Sequence, residues 1–137
     1  MANINGVLFD VAGNKIRLVS LPGGTSQGEG KARYKQLQSL LDCRIITSSV
    51  LEILGQEVDI YADDNGLEWV LGTSSNYVGV VFPYPPYNGK QPLVHNILVV
   101  GTPSDEGEMT SIPEAVEQKL LSDFKSGKIR FITDVDA

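Results

Sequence analysis

Apolar residues recur at every fourth position near the end of the chain, which is the spacing of one face of a helix. They are Ile112, Val116, Leu120 and Phe124. The S-x-x-E sequence at 111–114 predicts a capping box, in which Ser111 and Glu114 satisfy free amide groups of the first turn. Gly127 predicts a left-handed residue after the last turn. The pattern therefore predicts an amphipathic helix, followed by a short strand that contains Ile129 and Phe131.

Alternating apolar and polar residues predict β-strands in the first half of the chain. The segments Gly6–Phe9 and Lys15–Ser20 predict an opening hairpin. Further strands are predicted at Arg44–Val50 and Val58–Ala62. Residues 50–54 fit either the end of a strand or a helical turn, and the pattern does not decide between them.

A second hairpin is predicted at Asn65-Gly66, because both central residues of a type I′ turn need positive φ. The segment that follows, Leu67–Leu71, is expected to return antiparallel to Val58–Ala62. The prolines at 83, 85, 86 and 92 exclude a central strand or a helix interior further along the chain.

A first helix is predicted from Lys31 to Asp42, where the apolar residues have helical spacing. The Gly-rich segment Pro22–Gly30 predicts a surface loop before it. The alternative for this loop is a non-standard anion site formed by Lys31 and the start of the helix. Together the elements predict an α+β fold, with a mixed, mainly antiparallel sheet and two helices.

Composition limits the classes of protein to which the chain can belong. Its 137 residues, 42% hydrophobic and 20% charged, fit a single domain spanning residues 1–137. A net charge of -6 argues against direct binding of nucleic acid, since that binding needs clustered Lys and Arg. No Lys or Arg lies between Arg44 and Lys90, whereas six acidic residues do. We interpret this stretch as a solvated acidic face.

The chain shows no signal for secretion or for a membrane. Its one cysteine, Cys43, has no second cysteine with which to form a disulfide within the chain. The first residues lack the pattern of a signal peptide, and no apolar run approaches the ~20 residues that span a bilayer. We expect a cytoplasmic protein without a membrane partner.

Four aromatic residues in the loop-rich segment 76–90 make it the candidate binding surface. Aromatic side chains supply large contact areas at low entropic cost. With the polar residues nearby, the predicted ligand-binding residues are Asn76, Tyr77, Phe82, Tyr84, Tyr87, Lys90 and His95. We expect the rings to face outward. The competing structural explanation is that the aromatic residues and prolines pack together and hold a long loop on the domain.

Candidate catalytic chemistry is sparse. His95 is the only histidine, and a neutral-range pKa suits general base catalysis. Neither His95 nor Cys43 stands in a recognisable catalytic pattern, so we predict a structural role for the imidazole and a small buried apolar role for the thiol. No catalytic residue, metal site or cofactor is predicted.

Three segments together resemble a family of small proteins from bacteriophages, mobile elements and large DNA viruses, catalogued as a domain of unknown function. They are Leu37–Leu41, Asp59–Leu67, and Asn96–Thr102 continuing through Glu108–Ile112. The resemblance extends over most of residues 4–124. Where family members often carry an Asn-Arg pair, this chain has Asn76-Tyr77. The resemblance implies a viral accessory protein that acts in the host cytoplasm.

Two functional hypotheses follow. The first is a non-enzymatic binder that sequesters a nucleotide-like signal or inhibits a host protein, for instance in counter-defence. The second is a small hydrolase or transferase that uses His95 with acidic partners. We favour the first, and we expect homo-oligomerisation, because short sheets often bury an exposed edge against a second copy.

Overall fold

The computed structural model describes residues 3–11, 13–23, 26–64, 79–90, 92–106 and 108–132. Across these ranges the chain forms two helices and eight strands, arranged in two antiparallel sheets. The predicted α+β fold is confirmed. In chain order the elements are β1 (Ile4–Asp10), β2 (Lys15–Leu21), α1 (Gln27–Leu41), β3 (Ile46–Ile53), β4 (Gln56–Asp63), β5 (Gly79–Val81), β6 (Leu93–Val94), β7 (Ile97–Val99), α2 (Glu114–Lys125) and β8 (Arg130–Ile132).

The larger sheet has five strands in the order β2-β1-β7-β4-β3. The predicted opening hairpin is confirmed as β1 and β2, whose register runs from Ile4 opposite Leu21 to Asp10 opposite Lys15. Strand β7 joins the two halves of the sheet, because it pairs with β1 on one side and β4 on the other. Strands β2 and β3 are therefore the two edges. The smaller sheet has the order β6-β5-β8.

The second hairpin of the large sheet turns at Leu54-Gly55. Both residues have positive φ, 53° and 78°, as the two central residues of a type I′ turn require. Residues 50–53 therefore belong to β3, which settles the segment that the sequence pattern left open. The predicted turn at Asn65-Gly66 and its return strand Leu67–Leu71 lie outside the described residues.

Helix α1 begins at Gln27, so the prediction that this helix starts at Lys31 is wrong. Ser26 is the N-cap. Its hydroxyl accepts from the Glu29 amide at 3.1 Å, and the Glu29 carboxylate accepts from the Ser26 amide at 3.2 Å. These two bonds form a capping box, and residues 27–30, which were predicted to be loop, are therefore the first turn of the helix.

Helix α2 is capped differently from the prediction. Its N-cap is Pro113, with no side-chain hydrogen bond to the first turn. The predicted capping box at Ser111 is wrong because the Ser111 hydroxyl accepts from the amide of Asn5, in β1, at 2.9 Å. The end of the helix follows the prediction, since Gly127 has a φ of 86° and its amide donates to the Phe124 carbonyl.

The domain has three layers, because both faces of the five-stranded sheet are covered. Alternation along β1 points Val7 and Phe9 to one face and Leu8 to the other. On the first face these residues join a core with α2 and the small sheet, through residues that include Val116 and Val80. On the second face α1 packs through Leu37 and Leu41 against Leu8, Leu98 and Val100.

Candidate functional site

The rings at 82 and 84 belong to the core. Phe82 is 0% exposed and Tyr84 is 6% exposed. Phe82 meets Phe9 edge-on, with ring centroids 5.0 Å apart, and it directly follows strand β5 of the small sheet. The expectation that these two rings face outward is therefore wrong, because the segment that follows β5 places them in the core between the large sheet and α2. Whether they influence ligand binding remains a prediction.

A buried hydrogen bond attaches Tyr84 to helix α2. The phenol donates to Asp123 Oδ2 at 2.7 Å, and Asp123, only 4% exposed, also pairs with Lys119 Nζ at 3.3 Å. Burial and the hydrogen bond with Asp123 raise the pKa of Tyr84 above its usual range. The phenol is therefore protonated at neutral pH, where it donates its proton in the hydrogen bond to the Asp123 carboxylate.

We call residues 82–90 the Pro loop. Within it the amides of Tyr87 and Asn88 donate to the Tyr84 carbonyl, and the amide of Gly89 donates to the Phe82 carbonyl. Tyr87 is half-buried, and its hydroxyl lies 3.0 Å from Ser49 Oγ on β3. These contacts match the structural explanation, in which aromatic and proline packing holds the loop on the domain.

The remaining predicted binding residues are scattered. Lys90 is exposed at the end of the Pro loop. Asn76 and Tyr77 lie outside the described residues. His95 is in the core, at the junction of β6 and β7. The structure thus brings Phe82, Tyr84 and Tyr87 together through one loop, and it places His95 elsewhere.

His95 is held inside the protein. Its side chain is 0% exposed, its backbone has a φ of 67°, and its Nδ1 lies 3.3 Å from Asp63 Oδ2. Burial lowers the pKa of His95 below its ordinary value, although the Asp63 carboxylate opposes that shift. An imidazole with no exposed surface offers a substrate no accessible general base. This geometry favours the predicted structural role.

The remaining candidate chemistry is the thiol of Cys43 and the carboxylates near it. Burial, followed by the charges of Asp63 and Asp42, raises the pKa of Cys43 to about 11. The thiol is therefore protonated at neutral pH, and a thiol is a weak nucleophile. In the ranges that the structure describes, no group of three or more His, Cys, Asp or Glu side chains is placed to hold a metal ion.

A surface groove of about 170 Å³ lies where the Pro loop meets the β3–β4 hairpin. It is lined by Val50, Glu52, Glu57, Pro85 and Pro86, and we call it the acidic groove. The amide of Glu52 donates to the Pro85 carbonyl at 2.9 Å, which fixes the prolines beside the edge strand β3. Its lining therefore combines three apolar residues with two glutamates.

The strand register concentrates negative charge at this groove. Glu52 lies directly opposite Glu57, and Val50 lies opposite Asp59. Burial and the neighbouring Glu57 carboxylate raise the pKa of Asp59. Among the residues described, no cationic side chain forms an ion pair with Glu52 or Glu57. Like charges opposite each other destabilise a hairpin, so a cation bound here would relieve repulsion.

Sequence reasoning missed this groove. The available signal is the lack of Lys and Arg between Arg44 and Lys90, which by itself indicates only a solvated acidic face. Pro85 and Pro86, taken as sequence alone, exclude a central strand and do not indicate a groove. No sequence pattern reveals that the Pro loop returns to β3, because the Glu52 to Pro85 bond joins residues far apart in the chain.

A second pocket, of about 260 Å³, lies at the end of α2. It is lined by Asn14, Phe124, Gly127, Ile129, Arg130 and Phe131. This pocket is larger than the acidic groove. Two of its lining rings, Phe124 and Phe131, pack on each other with centroids 5.3 Å apart, and Arg130 is its one charged lining residue. The acidic groove is the better candidate site, because it combines two acidic residues with apolar ones.

Among the described residues, neither α1 nor α2 has the length and apolar composition of a membrane-spanning helix. Comparison with curated proteins and with solved structures gave no match. A family model described as "Domain of unknown function (DUF3846)" matches residues 6–125. The chain therefore belongs to this family.

Proposed function

We propose that this member of the family is a non-enzymatic binding protein, and that its partner is a host protein bound through a cationic segment in the acidic groove. The observation that supports the proposal is the groove itself, whose lining combines apolar residues with two glutamates that form no ion pair among the described residues. The resemblance to small viral proteins supports its setting. We propose a phage or viral accessory protein that acts in the host cytoplasm, inhibiting a host protein as a form of counter-defence.

The shape of the groove suits one long basic side chain. Lys and Arg carry an apolar stem below a charged head, and the stem can lie on Val50, Pro85 and Pro86. The head then lies between Glu52 and Glu57, where charge-assisted hydrogen bonds are stronger than neutral ones. A volume of about 170 Å³ is smaller than the roughly 300–1,000 Å³ of typical small-molecule sites.

The charge of the groove also distinguishes the two ligands considered from the sequence. A nucleotide-like signal carries phosphates, which the carboxylates of Glu52, Glu57 and Asp59 would repel at close range. A protein segment with Arg or Lys is attracted instead. The groove therefore favours a host protein over a nucleotide.

The predicted aromatic site takes a different role in this proposal. Tyr84 and Tyr87 hold the Pro loop in place through Asp123 and Ser49, and the loop in turn supplies one wall of the groove. The rings thus position the binding surface without forming it. The hydrolase or transferase alternative has no comparable support, because the imidazole of His95 has no exposed surface.

A binding measurement tests the proposal. The probe is a fluorescein-labelled Arg-Gly-Arg-Gly peptide, and its binding is followed by fluorescence anisotropy at low and at physiological salt. We expect the double variant Glu52→Gln/Glu57→Gln to weaken binding at least ~10-fold, the loss of roughly 1.4 kcal/mol or more. Rising salt should also weaken the binding of the peptide to wild type, because salt screens the attraction between the charges.

The matched control is the double variant Glu106→Gln/Glu108→Gln. These residues are exposed on another loop, so this variant makes the same change in net charge away from the groove. Equal loss in both double variants would show only a general charge effect and would contradict the proposal. Binding of a labelled nucleoside triphosphate, in place of the peptide, would support the nucleotide alternative.

A further inference from the structure

Strand β2 is an edge of the five-stranded sheet with an exposed apolar residue at its centre. Leu18 is 60% exposed, the largest value among the large apolar residues described. Within the described ranges, β1 is the only strand that pairs with β2. An open edge with a central apolar side chain can accept another strand.

The direction of the free backbone groups follows from one hydrogen bond. Gln36 Nε2, on α1, donates to the carbonyl of Ser20 at 3.0 Å, so this carbonyl points away from β1. In an antiparallel strand, residues alternate between facing one neighbour and facing the other. Leu18 and Ile16 therefore also direct their amide and carbonyl groups toward the open side.

We propose that two copies of this chain pair through β2, antiparallel, about a two-fold axis at Leu18. In this register Leu18 lies opposite the partner's Leu18, and Ile16 lies opposite the partner's Ser20. Each of these residues presents its backbone groups outward, so the three facing pairs supply about four hydrogen bonds besides those to the Ser20 carbonyls. Each Ser20 carbonyl already accepts from Gln36, and it accepts from the partner's Ile16 through its second lone pair. The two Leu18 side chains cover each other, which removes the exposed apolar centre of the edge.

Charge and backbone chemistry select this register over its neighbours. About Leu18, Arg17 lies opposite the partner's Val19 and Lys15 lies opposite the partner's Leu21, so no like charges face each other. A two-fold axis at Ile16 would set Lys15 opposite the partner's Arg17, which is repulsive. An axis at Ser20 would set Leu18 opposite the partner's Pro22, which has no amide to donate.

The dimer leaves the acidic groove free. Strands β2 and β3 are opposite edges of one sheet, so pairing through β2 joins two five-stranded sheets and leaves a β3 edge at each end. Each end carries one acidic groove. A dimer of this kind would present two equivalent binding sites, which raises avidity for a partner that displays two basic segments.

The oligomeric state tests this inference directly. Light scattering coupled to size-exclusion chromatography should give twice the 14.8 kDa chain mass for wild type at about 100 µM. Leu18→Lys should raise the dimer dissociation constant at least ~10-fold, because it removes the apolar centre and sets two charges opposite each other. The matched control is Ile45→Lys, which adds the same charge at a residue that is 50% exposed just before the other edge strand, and it should leave the dimer intact.

A cross-linking experiment tests the register, and it does not depend on how well the Lys variant folds. In a Cys43→Ser background, Leu18→Cys should oxidise to a disulfide-linked dimer, since facing residues have Cα atoms about 5.5 Å apart. Ser20→Cys should not, because the two copies of residue 20 lie about 13 Å apart along the strands. A wild-type monomer at 100 µM, or equal cross-linking of both variants, would overturn the proposal.

Discussion

The hydrogen bond from Tyr84 to Asp123 is the clearest single attachment of the Pro loop, and Tyr84→Phe removes it without changing the ring. Asp123 is 4% exposed, so the carboxylate would lose a buried donor. Hydrogen bonds to charged groups contribute about 1.5–3 kcal/mol. Lys119 Nζ, 3.3 Å away, remains to pair with the carboxylate. We therefore expect the free energy of unfolding to fall by about 2 kcal/mol.

Urea denaturation followed by circular dichroism measures this change, with an unchanged slope expected because the fold is kept. The control is Tyr34→Phe, which removes a phenol from a tyrosine that is 45% exposed on α1 and should change stability by less than ~0.5 kcal/mol. Hydrogen exchange gives a second readout. The Glu52 amide donates to Pro85, so its exchange should accelerate in Tyr84→Phe if Tyr84 holds the loop.

The pH dependence of the same bond has a definite sign. The pKa of Tyr84 is raised in the folded protein, so the stability that the protonated phenol contributes is complete below the unfolded pKa of about 10. It is lost as pH rises above that value. Wild type should lose stability above pH 10 faster than Tyr84→Phe. If Tyr84→Phe lowered the free energy of unfolding by less than ~0.5 kcal/mol and left the exchange of the Glu52 amide unchanged, Tyr84 would not be what holds the Pro loop.

Three further predictions concern the fold. Burial lowers the pKa of His95, so below about pH 6.5 the folded state binds fewer protons than the unfolded state. The melting temperature should therefore fall as pH drops below that value, and it should fall less steeply in His95→Gln. Gly101→Ala should lower the free energy of unfolding by about 1–3 kcal/mol in urea denaturation, because the added Cβ would collide with the Ser111 carbonyl. Its control is Gly28→Ala in α1, where the added Cβ meets nothing within 4 Å, so stability should stay the same or rise. Ser26→Ala should cost about 1 kcal/mol by the same assay, through loss of the capping box.

Local patterns predicted most elements of the fold because their causes are local. The apolar stripe of α2 and the alternation of β1 and β2 depend on neighbours in the sequence. Gly127 ends α2 as predicted, since positive φ after a helix favours glycine whatever surrounds it.

The errors arise where distant contacts compete with local ones. Two S-x-x-E sequences stand at or next to the start of a helix, and only the one at Ser26 forms a capping box. Ser111 bonds to the Asn5 amide instead, a contact across 106 positions. Likewise Leu54-Gly55 forms a tight turn although leucine rarely adopts positive φ, because the register that sets Ile53 opposite Gln56 leaves only these two residues for the turn.

The site could be predicted only in part. Composition marks residues 76–90 as unusual, but aromatic content does not reveal whether a ring faces solvent or core. Phe82 is buried because Phe9, on a strand more than 70 positions earlier, lies against it. The acidic groove has the same origin, since it exists only where the Pro loop meets β3.

Amide chemical-shift mapping tests the central claim most directly. The uniformly ¹⁵N-labelled protein is titrated with the Arg-Gly-Arg-Gly peptide, and a Glu-Gly-Glu-Gly peptide serves as the control. We predict that the largest shifts fall on the amides of Val50, Glu52 and Glu57, and that only the basic peptide causes them. Shifts centred on Lys90 or His95, or no shifts with the basic peptide, would contradict the assignment of the acidic groove as the binding surface.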